Sequence, residues 1–205
     1  NIQLTTQDGG KGQVQVRLDL ADVSLNAPAM GWSKKVGVAG GAQVDLEIDG
    51  TRLIDIPRFS LAAGDLRING SASYAEDGTG LDKIDITQLS YDRTDLTGVF
   101  IPGHDGGWTV SFHGPSFDLT PMFEDLFKAP PDDEDRFGLK LSLSAKIDKV
   151  WIGKKRYLKQ ITGTFARADD QWRRMNIDGA LSSGKRFQVN LTPNGKGKRQ
   201  IAIKA

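Results

Sequence analysis

The densest group of ionisable side chains lies in the stretch 116–135, SFDLTPMFEDLFKAPPDDED. A calcium loop alternates its oxygen ligands around a glycine and ends in a distal glutamate, whereas the last acids here are contiguous. Thr120 suits a helix N-cap and Pro121 the first helical position, so the pattern predicts one short helix near 120–128. The prolines that follow would end it. We therefore interpret 129–136 as an acidic, proline-rich linker and expect no metal site.

Catalysis by a histidine could use only His104 or His113, the two histidines of the chain. His113 precedes Ser116 and Asp118 in SFHGPSFD, which is the nearest approach to a Ser-His-Asp set. However, the chain has no G-x-S-x-G elbow, no G-x-G-x-x-G loop and no Walker loop. It also has no cysteine, which excludes disulfides and thiolate chemistry. We expect no catalytic residue and no cofactor.

A second candidate for chemistry is a basic stretch in which Trp151, Tyr157, Phe165 and Trp172 are interleaved with Lys and Arg. Such a pattern could form a stacking surface for single-stranded nucleic acid. It could equally place the aromatics in a sheet core and the cations in water, as a strand period of two predicts. Since no RNA-recognition or helix-turn-helix motif accompanies the stretch, we favour the second interpretation and do not expect a nucleic-acid partner.

The elements that must position these residues are strands, because apolar and polar residues alternate along most of the chain. Turn sequences rich in Gly, Asn and Asp, such as AEDGTG and PNGKGK, separate the alternating segments. Two segments, 96–114 and 161–179, share a Thr-Gly, Phe, Trp and Gly pattern, which indicates repeated hairpins. The sequence predicts a mainly β fold, an extended, curled antiparallel sheet of repeated hairpins like a half-barrel, with one short helix near 120–128.

Charge divides the 205-residue chain unevenly. Residues 1–136 hold 11 Lys or Arg and 22 Asp or Glu, a net −11, whereas residues 137–205 hold 16 and 4, a net +12. We therefore expect an acidic β section at 1–128, the linker at 129–136, and a basic β section at 137–205 that continues the same sheet. The basic section could face phosphate in lipid or nucleic acid, or simply complement the acidic one.

No apolar run is long enough to cross a bilayer, and the chain starts without an initiator Met or a signal-peptide profile. It ends within an apolar alternation, RQIAIKA. From these features we expect a segment of a longer protein, with any targeting segment or membrane anchor outside it.

Nearly the whole chain resembles the AsmA-like proteins of Gram-negative bacteria, most of all the YhdP and TamB-type members. The most specific motifs are GWSK at 31–34 and GWTVSFHGPSFDLTP at 107–121. The resemblance implies a periplasmic protein anchored in the inner membrane by a segment outside this one. It also implies a curled sheet with an apolar groove, through which phospholipids pass toward the outer membrane.

We therefore expect a non-enzymatic module of phospholipid transport or outer-membrane biogenesis and homeostasis, with phospholipid acyl chains and other envelope proteins as partners. The residues expected to line the apolar face share an unbroken alternation and are Val14, Val16, Leu18, Val44, Leu46, Ile48, Leu66, Ile68, Leu139, Leu141, Leu143 and Ile147. The cations expected to contact headgroups or a partner are Lys154, Lys155, Arg156, Arg173 and Arg174. The alternative is a scaffolding domain with an ordinary core, whose basic section docks a protein or nucleic acid.

Overall fold

A computed structural model describes residues 2–6, 10–76, 80–125, 140–168, 171–194 and 199–205. Alternating apolar and polar residues form strands almost throughout these ranges. The strands are β1 (Ile2–Thr6), β2 (Lys11–Asp19), β3 (Leu25–Ala27), β4 (Trp32–Lys34), β5 (Gly40–Asp49), β6 (Arg52–Ala63), β7 (Leu66–Tyr74), β8 (Leu81–Tyr91), β9 (Thr94–Pro102), β10 (Trp108–Asp118), β11 (Leu141–Trp151), β12 (Tyr157–Ala168), β13 (Gln171–Leu181), β14 (Arg186–Pro193) and β15 (Arg199–Lys204). A 3-10 helix, Pro28–Met30, precedes β4, and one α-helix, α1 (Thr120–Asp125), follows β10.

Thirteen strands pair in the order β1-β2-β5-β6-β7-β8-β9-β10-β11-β12-β13-β14-β15, while β3 and β4 form a small hairpin of their own. Apart from that excursion, strands adjacent in sequence are adjacent in the sheet, as expected for a succession of hairpins. The predicted fold class, a mainly β chain with a curled, mostly antiparallel sheet and one short helix, is confirmed. The predicted helix begins at Thr120 as expected, and residues 126–128 lie outside the described residues.

One pair departs from the antiparallel prediction, because β10 and β11 run parallel. Two parallel strands need a connection of roughly a dozen residues or more, because the chain must return to the edge at which the first strand began before the second strand can start. The segment 119–140, which contains α1, supplies that length. The stretch that interrupts the strand pattern in the sequence therefore connects the two parallel strands.

The chain divides into two compact units, residues 1–99 and 100–205. The boundary lies within β9, so the first unit holds β1 to β8 and the second holds β10 to β15. The predicted linker at 129–136 and the section boundaries around it lie outside the described residues and stay predictions.

Within the described residues, no helix is both long and apolar enough to span a membrane.

Candidate functional site

Cross-strand register in the first unit aligns apolar side chains of β1, β2 and β5 to β8 in rows on one face of the sheet. We call this the first apolar face. Its two longest rows are Leu18, Ala42, Leu61, Ile68 and Leu89, and then Ile2, Val16, Val44, Phe59, Gly70 and Ile86. Val14, Leu46 and Ile48 extend the same face along β2 and β5. Seven of the predicted lining residues thus lie side by side.

The hairpin β3-β4 and its 3-10 helix cover one end of the first apolar face. Trp32 is 8% exposed and forms a buried cluster with Ala63, Leu66 and Tyr91. Its indole Nε1 donates to Asp65 Oδ1 over 2.9 Å, which satisfies the only polar atom of the buried ring. Leu66, predicted as a lining residue, is only 3% exposed, so it belongs to this core and not to the open part of the face.

Lys34 fixes the same hairpin from its other strand. Its side chain is buried, at 3% exposure, and its Nζ donates to the carbonyl oxygens of Leu20, Ala21, Val23 and Lys35 over 2.7 to 3.3 Å. Three of these carbonyl oxygens, those of Leu20, Ala21 and Lys35, also accept a backbone N–H, so the ammonium ties together a loop that is already hydrogen-bonded. The motif GWSK at 31–34 is explained structurally, because both its Trp and its Lys hold the cover in place.

The second unit carries a face of the same construction, which we call the second apolar face. Parallel and antiparallel register align three rows across β10 to β15. The rows are Val110, Leu143, Phe165, Met175, Leu191 and Ile201; Phe112, Ala145, Gly163, Ile177, Val189 and Ile203; and Gly114, Ile147 and Ile161, which a bulge in β12 separates from the pair Gly179 and Phe187 although the Ile161 side chain lies over Gly179. Leu141 precedes Leu143 on the same face, and Leu139 lies outside the described residues.

Neither face is packed under a full second layer. Substantial contacts between described elements join only sheet neighbours, β3 with β4, and β4 with the 3-10 helix. None of the large side chains of the described residues is fully buried, and Leu18 and Ile203 are 53% and 68% exposed. A globular domain normally closes such a face with a second layer. The described residues place no such layer over most of either apolar face, and we call both faces half-open for this reason.

Phenylalanine rings lie directly over strand glycines on both apolar faces. A Cβ added to Gly70 would stand 2.5 Å from Cζ of Phe59, its cross-strand partner, and one added to Gly163 would stand 2.7 Å from Cε2 of Phe165. Only glycine leaves room for a ring to lie against the backbone in this way. The rings thereby fill the rows without rising far above the sheet.

The opposite face of each unit is polar. In the first unit, Asp45 Oδ1 accepts from the amides of Gln15 and Gln43, and Oδ2 pairs with Arg58 at 2.9 Å. The Gln15 and Gln43 hydrogen bonds and the Arg58 charge together hold the pKa of Asp45 below its usual value of 3.8. In the second unit, cross-strand register aligns polar side chains of β11 to β13 on this face, among them Ser144, Thr164 and Asn176. Such surfaces suit water better than acyl chains.

The structure separates the cations predicted to contact headgroups. Lys154, Lys155 and Arg156 are exposed in the turn between β11 and β12, whereas Arg173 and Arg174 lie near the opposite end of β13. Roughly 30 Å of strand separates the two groups. Arg174 also pairs with Ala166, which places it on the polar face. The five residues therefore do not form one site.

The histidines considered for catalysis lie on different elements. His104 is exposed in the β9-β10 turn. His113 is exposed on β10, three residues before Ser116 and five before Asp118. The described residues contain no group of three or more His, Asp or Glu that could hold a metal ion, and the acidic run at 132–135 lies outside them.

No family model, no curated protein and no solved structure matches the chain. The resemblance to AsmA-like proteins therefore stays a hypothesis, and the two apolar faces are the feature from which a function must be argued.

Proposed function

We propose that the chain is a non-enzymatic lipid-binding module that takes part in phospholipid transport between the two membranes of a Gram-negative envelope, or in outer-membrane homeostasis. The observation that supports this proposal is the half-open state of both apolar faces. Rows of Val, Leu, Ile and Phe cross five or six neighbouring strands, and the described residues place only the β3-β4 hairpin over them.

Exposed apolar surface on this scale favours an apolar occupant. Each methylene removed from water contributes about 0.8 kcal/mol, so an acyl chain lying along several strands gains a substantial free energy of binding. A contiguous apolar patch of more than a few hundred Å² is uncommon on a protein that works alone in water and marks an interaction surface. An extended acyl chain needs no directional hydrogen bonds, which these side chains could not supply.

The absence of cysteine allows a direct test of which face meets lipid. Leu143→Cys and Val44→Cys place a single thiol on the second and first apolar faces, and Ser144→Cys and Gln43→Cys are neighbours on the polar faces. Each thiol is labelled with a polarity-sensitive fluorophore, and phospholipid is added at a detergent concentration below micelle formation. We expect a blue shift at positions 44 and 143 and none at 43 and 144.

Equal shifts on both faces, or none on either, would overturn the proposal, because acyl chains would then not distinguish the apolar rows. Circular dichroism of each labelled variant checks that the sheet is retained. Organic extraction of the unmodified protein, purified from a Gram-negative host, should recover phospholipid. A phospholipid-free extract together with unshifted labels would favour a scaffolding domain instead.

A further inference from the structure

Lysine and arginine side chains gather on the polar face of the second unit. Gln160, with a φ of 49°, forms a bulge in β12, beyond which Lys159 lies on the polar face. Lys159 pairs with Lys149 of β11 on one side and with Ala180 of β13 on the other. Ala180 in turn pairs with Arg186 of β14. Together with cations on the neighbouring register lines, the face carries Lys146, Lys149, Lys159, Arg174, Arg186 and Lys204.

Few carboxylates accompany these cations. Among the described residues, the register places Asp178 and Asp118 on the same face. Asp118 is only 5% exposed and accepts the amide of Thr120. Asp148 is exposed where β11 passes the bulge. The charge of the face is therefore strongly positive.

The cations of this face are not neutralised by carboxylates. None of the six forms an ion pair with a carboxylate in the part of the chain that the structure describes. In the first unit, by contrast, Arg58 pairs with Asp45 at 2.9 Å and Lys83 with Asp85 at 2.8 Å. The positive charge of the second unit is thus available to an anionic partner.

Lys149 and Lys159 show that this charge is concentrated at a cost. Like charges at directly opposed positions of an antiparallel pair destabilise the sheet. Lys149 Nζ lies 5.2 Å from the ring centroid of Trp151 and 5.1 Å from that of Tyr157. Lys159 Nζ lies 5.8 Å from the Tyr157 ring and donates to the carbonyl oxygen of Ser182 over 3.0 Å. Such contacts attract a cation without neutralising it, so an external anion would relieve the repulsion.

The composition of the face favours a membrane surface over other anionic partners. Small polar side chains lie between the cations, among them Ser144, Thr164 and Asn176, whereas a protein interface normally has an apolar core with aromatic anchors. Single-stranded nucleic acid stacks on ring faces, and here ammonium groups lie over the rings of Trp151 and Tyr157. A layer of anionic headgroups needs only positive charge spread over an area, with Trp and Tyr at headgroup level.

We propose that the polar face of the second unit docks on an anionic membrane surface, with its six cations facing the lipid phosphates. Trp151 and Tyr157 border this contact at one end, next to the exposed basic turn 154–156. The inference goes beyond the proposed function, because it concerns the membrane on which the module works and not the acyl chain that it binds. The second apolar face then points away from the bilayer and stays open to an acyl chain.

The test measures co-sedimentation of the whole chain with vesicles of phosphatidylcholine, with and without phosphatidylglycerol. We expect binding only when phosphatidylglycerol is present, and a steep loss of binding as salt screens the charges. The variant Lys146→Gln/Arg174→Gln/Arg186→Gln removes three exposed cations of the face. Since each cation near the surface contributes about fivefold, this variant should bind roughly a hundredfold more weakly.

The matched control is Lys11→Gln/Lys35→Gln/Arg52→Gln, which removes the same charge from exposed positions of the first unit. It should bind within about threefold of the unmodified chain, because its cations are not on the docking face. Equal weakening by both variants would show that net charge and not this face attracts the membrane, and would overturn the proposal.

A second variant, Lys149→Gln/Lys159→Gln, guards against a loss of binding through unfolding. It removes a like-charge pair and should be at least as stable in urea as the unmodified chain, while binding about twentyfold more weakly. Unchanged binding by this variant would overturn the role of the pair.

The orientation is tested with fluorophores on the neighbouring positions of Ser144→Cys and Leu143→Cys, on opposite faces of β11. Vesicles carry phospholipid with a nitroxide on its headgroup, which quenches a nearby fluorophore. We expect stronger quenching at 144 than at 143. Stronger quenching at 143 would show that the apolar face meets the bilayer, and would overturn the proposal.

The remaining outcomes separate this inference from the proposed function. Failure to bind phosphatidylglycerol vesicles overturns the docking face, and leaves acyl binding standing if labels at 44 and 143 still shift with monomeric lipid. Vesicle binding without those shifts overturns the proposed function alone. Displacement from vesicles by polyglutamate or a single-stranded oligonucleotide, at a lower concentration of charge than the lipid, would overturn the membrane as partner.

Discussion

The two units use the same rows of apolar side chains but treat the ends of those rows differently. In the first unit, the rows end under a cover in which Trp32 and Lys34 are buried. In the second unit, Val150, Leu158 and Leu181 continue the apolar face past the bulge at Gln160, while Lys149 and Lys159 lie on the opposite face. A Trp and a Lys thus close an apolar face in the first unit, whereas the described residues of the second unit place no such cover over its rows.

Net charge follows the same division. Residues 1–99 hold 9 Lys or Arg and 14 Asp or Glu, a net −5, whereas residues 100–205 hold 18 and 12, a net +6. Charged side chains of the first unit also form hydrogen bonds and ion pairs with neighbours, as Asp45 does with Gln15 and Arg58. We therefore expect substitutions at the covered end of the first unit to act on stability, and substitutions in the open rows of either unit to act on ligand binding.

The largest effect should come from Trp32→Ala. Truncating a buried Trp costs about 3 to 5 kcal/mol in the free energy of unfolding, because it leaves a cavity over Leu66 and Tyr91. The matched change, Trp151→Ala, removes a half-buried ring and should cost about 1 to 2 kcal/mol. Urea unfolding of both variants measures the difference. Equal losses of stability in the two variants would mean that burial of Trp32 contributes no more to folding than the half-buried Trp151 does.

A smaller effect is expected from Lys34→Met, at about 2 to 3 kcal/mol. The Met side chain fills similar space but leaves the carbonyl oxygens of Leu20 and Val23 without their charged donor. Lys35→Met, at the exposed neighbouring position, is the control and should change the free energy of unfolding by less than about 0.5 kcal/mol. If both variants were equally stable, the hydrogen bonds of Lys34 would contribute nothing to the cover.

The smallest effect should be the contribution of Asp65 to the pH dependence of the free energy of unfolding. The hydrogen bond from Trp32, aided by the amide of Asp92, holds the pKa of Asp65 below its usual value of 3.8. A lowered pKa in the folded state stabilises the protein above the unfolded-state pKa, and this contribution disappears as the pH falls through the folded-state value. Because the carboxylate is exposed, the contribution should stay under about 1 kcal/mol.

The variant Asp65→Asn measures this contribution. It should be less stable than the unmodified chain at pH 6, and the difference should shrink as the pH is lowered toward 2. Asp22→Asn, at an exposed position of the same unit, is the control. A difference that stayed constant with pH would show that the Asp65 charge is not the stabilising group.

Much of the fold was accessible from the sequence, because a period of two is a local property. The alternation of Val14, Val16 and Leu18 predicts both a strand and the face on which those side chains lie, and both are found. The pattern did not show that Leu66 lies beneath Trp32, since a covered and an open apolar position look alike in sequence. Arg173 and Arg174 lie far from Lys154, because similar composition does not place residues at the same end of a strand.

The sequence by itself determined that the chain forms strands with one apolar and one polar face, since side chains alternate across a strand whatever its neighbours are. It also determined where the strand pattern breaks, at 119–140. Only the tertiary structure decided which strands pair, that β10 and β11 run parallel, and that the β3-β4 hairpin covers one end of the first apolar face. The physical reason is that register depends on pairing between distant segments, and the period of two fixes a side chain's face but not its neighbour.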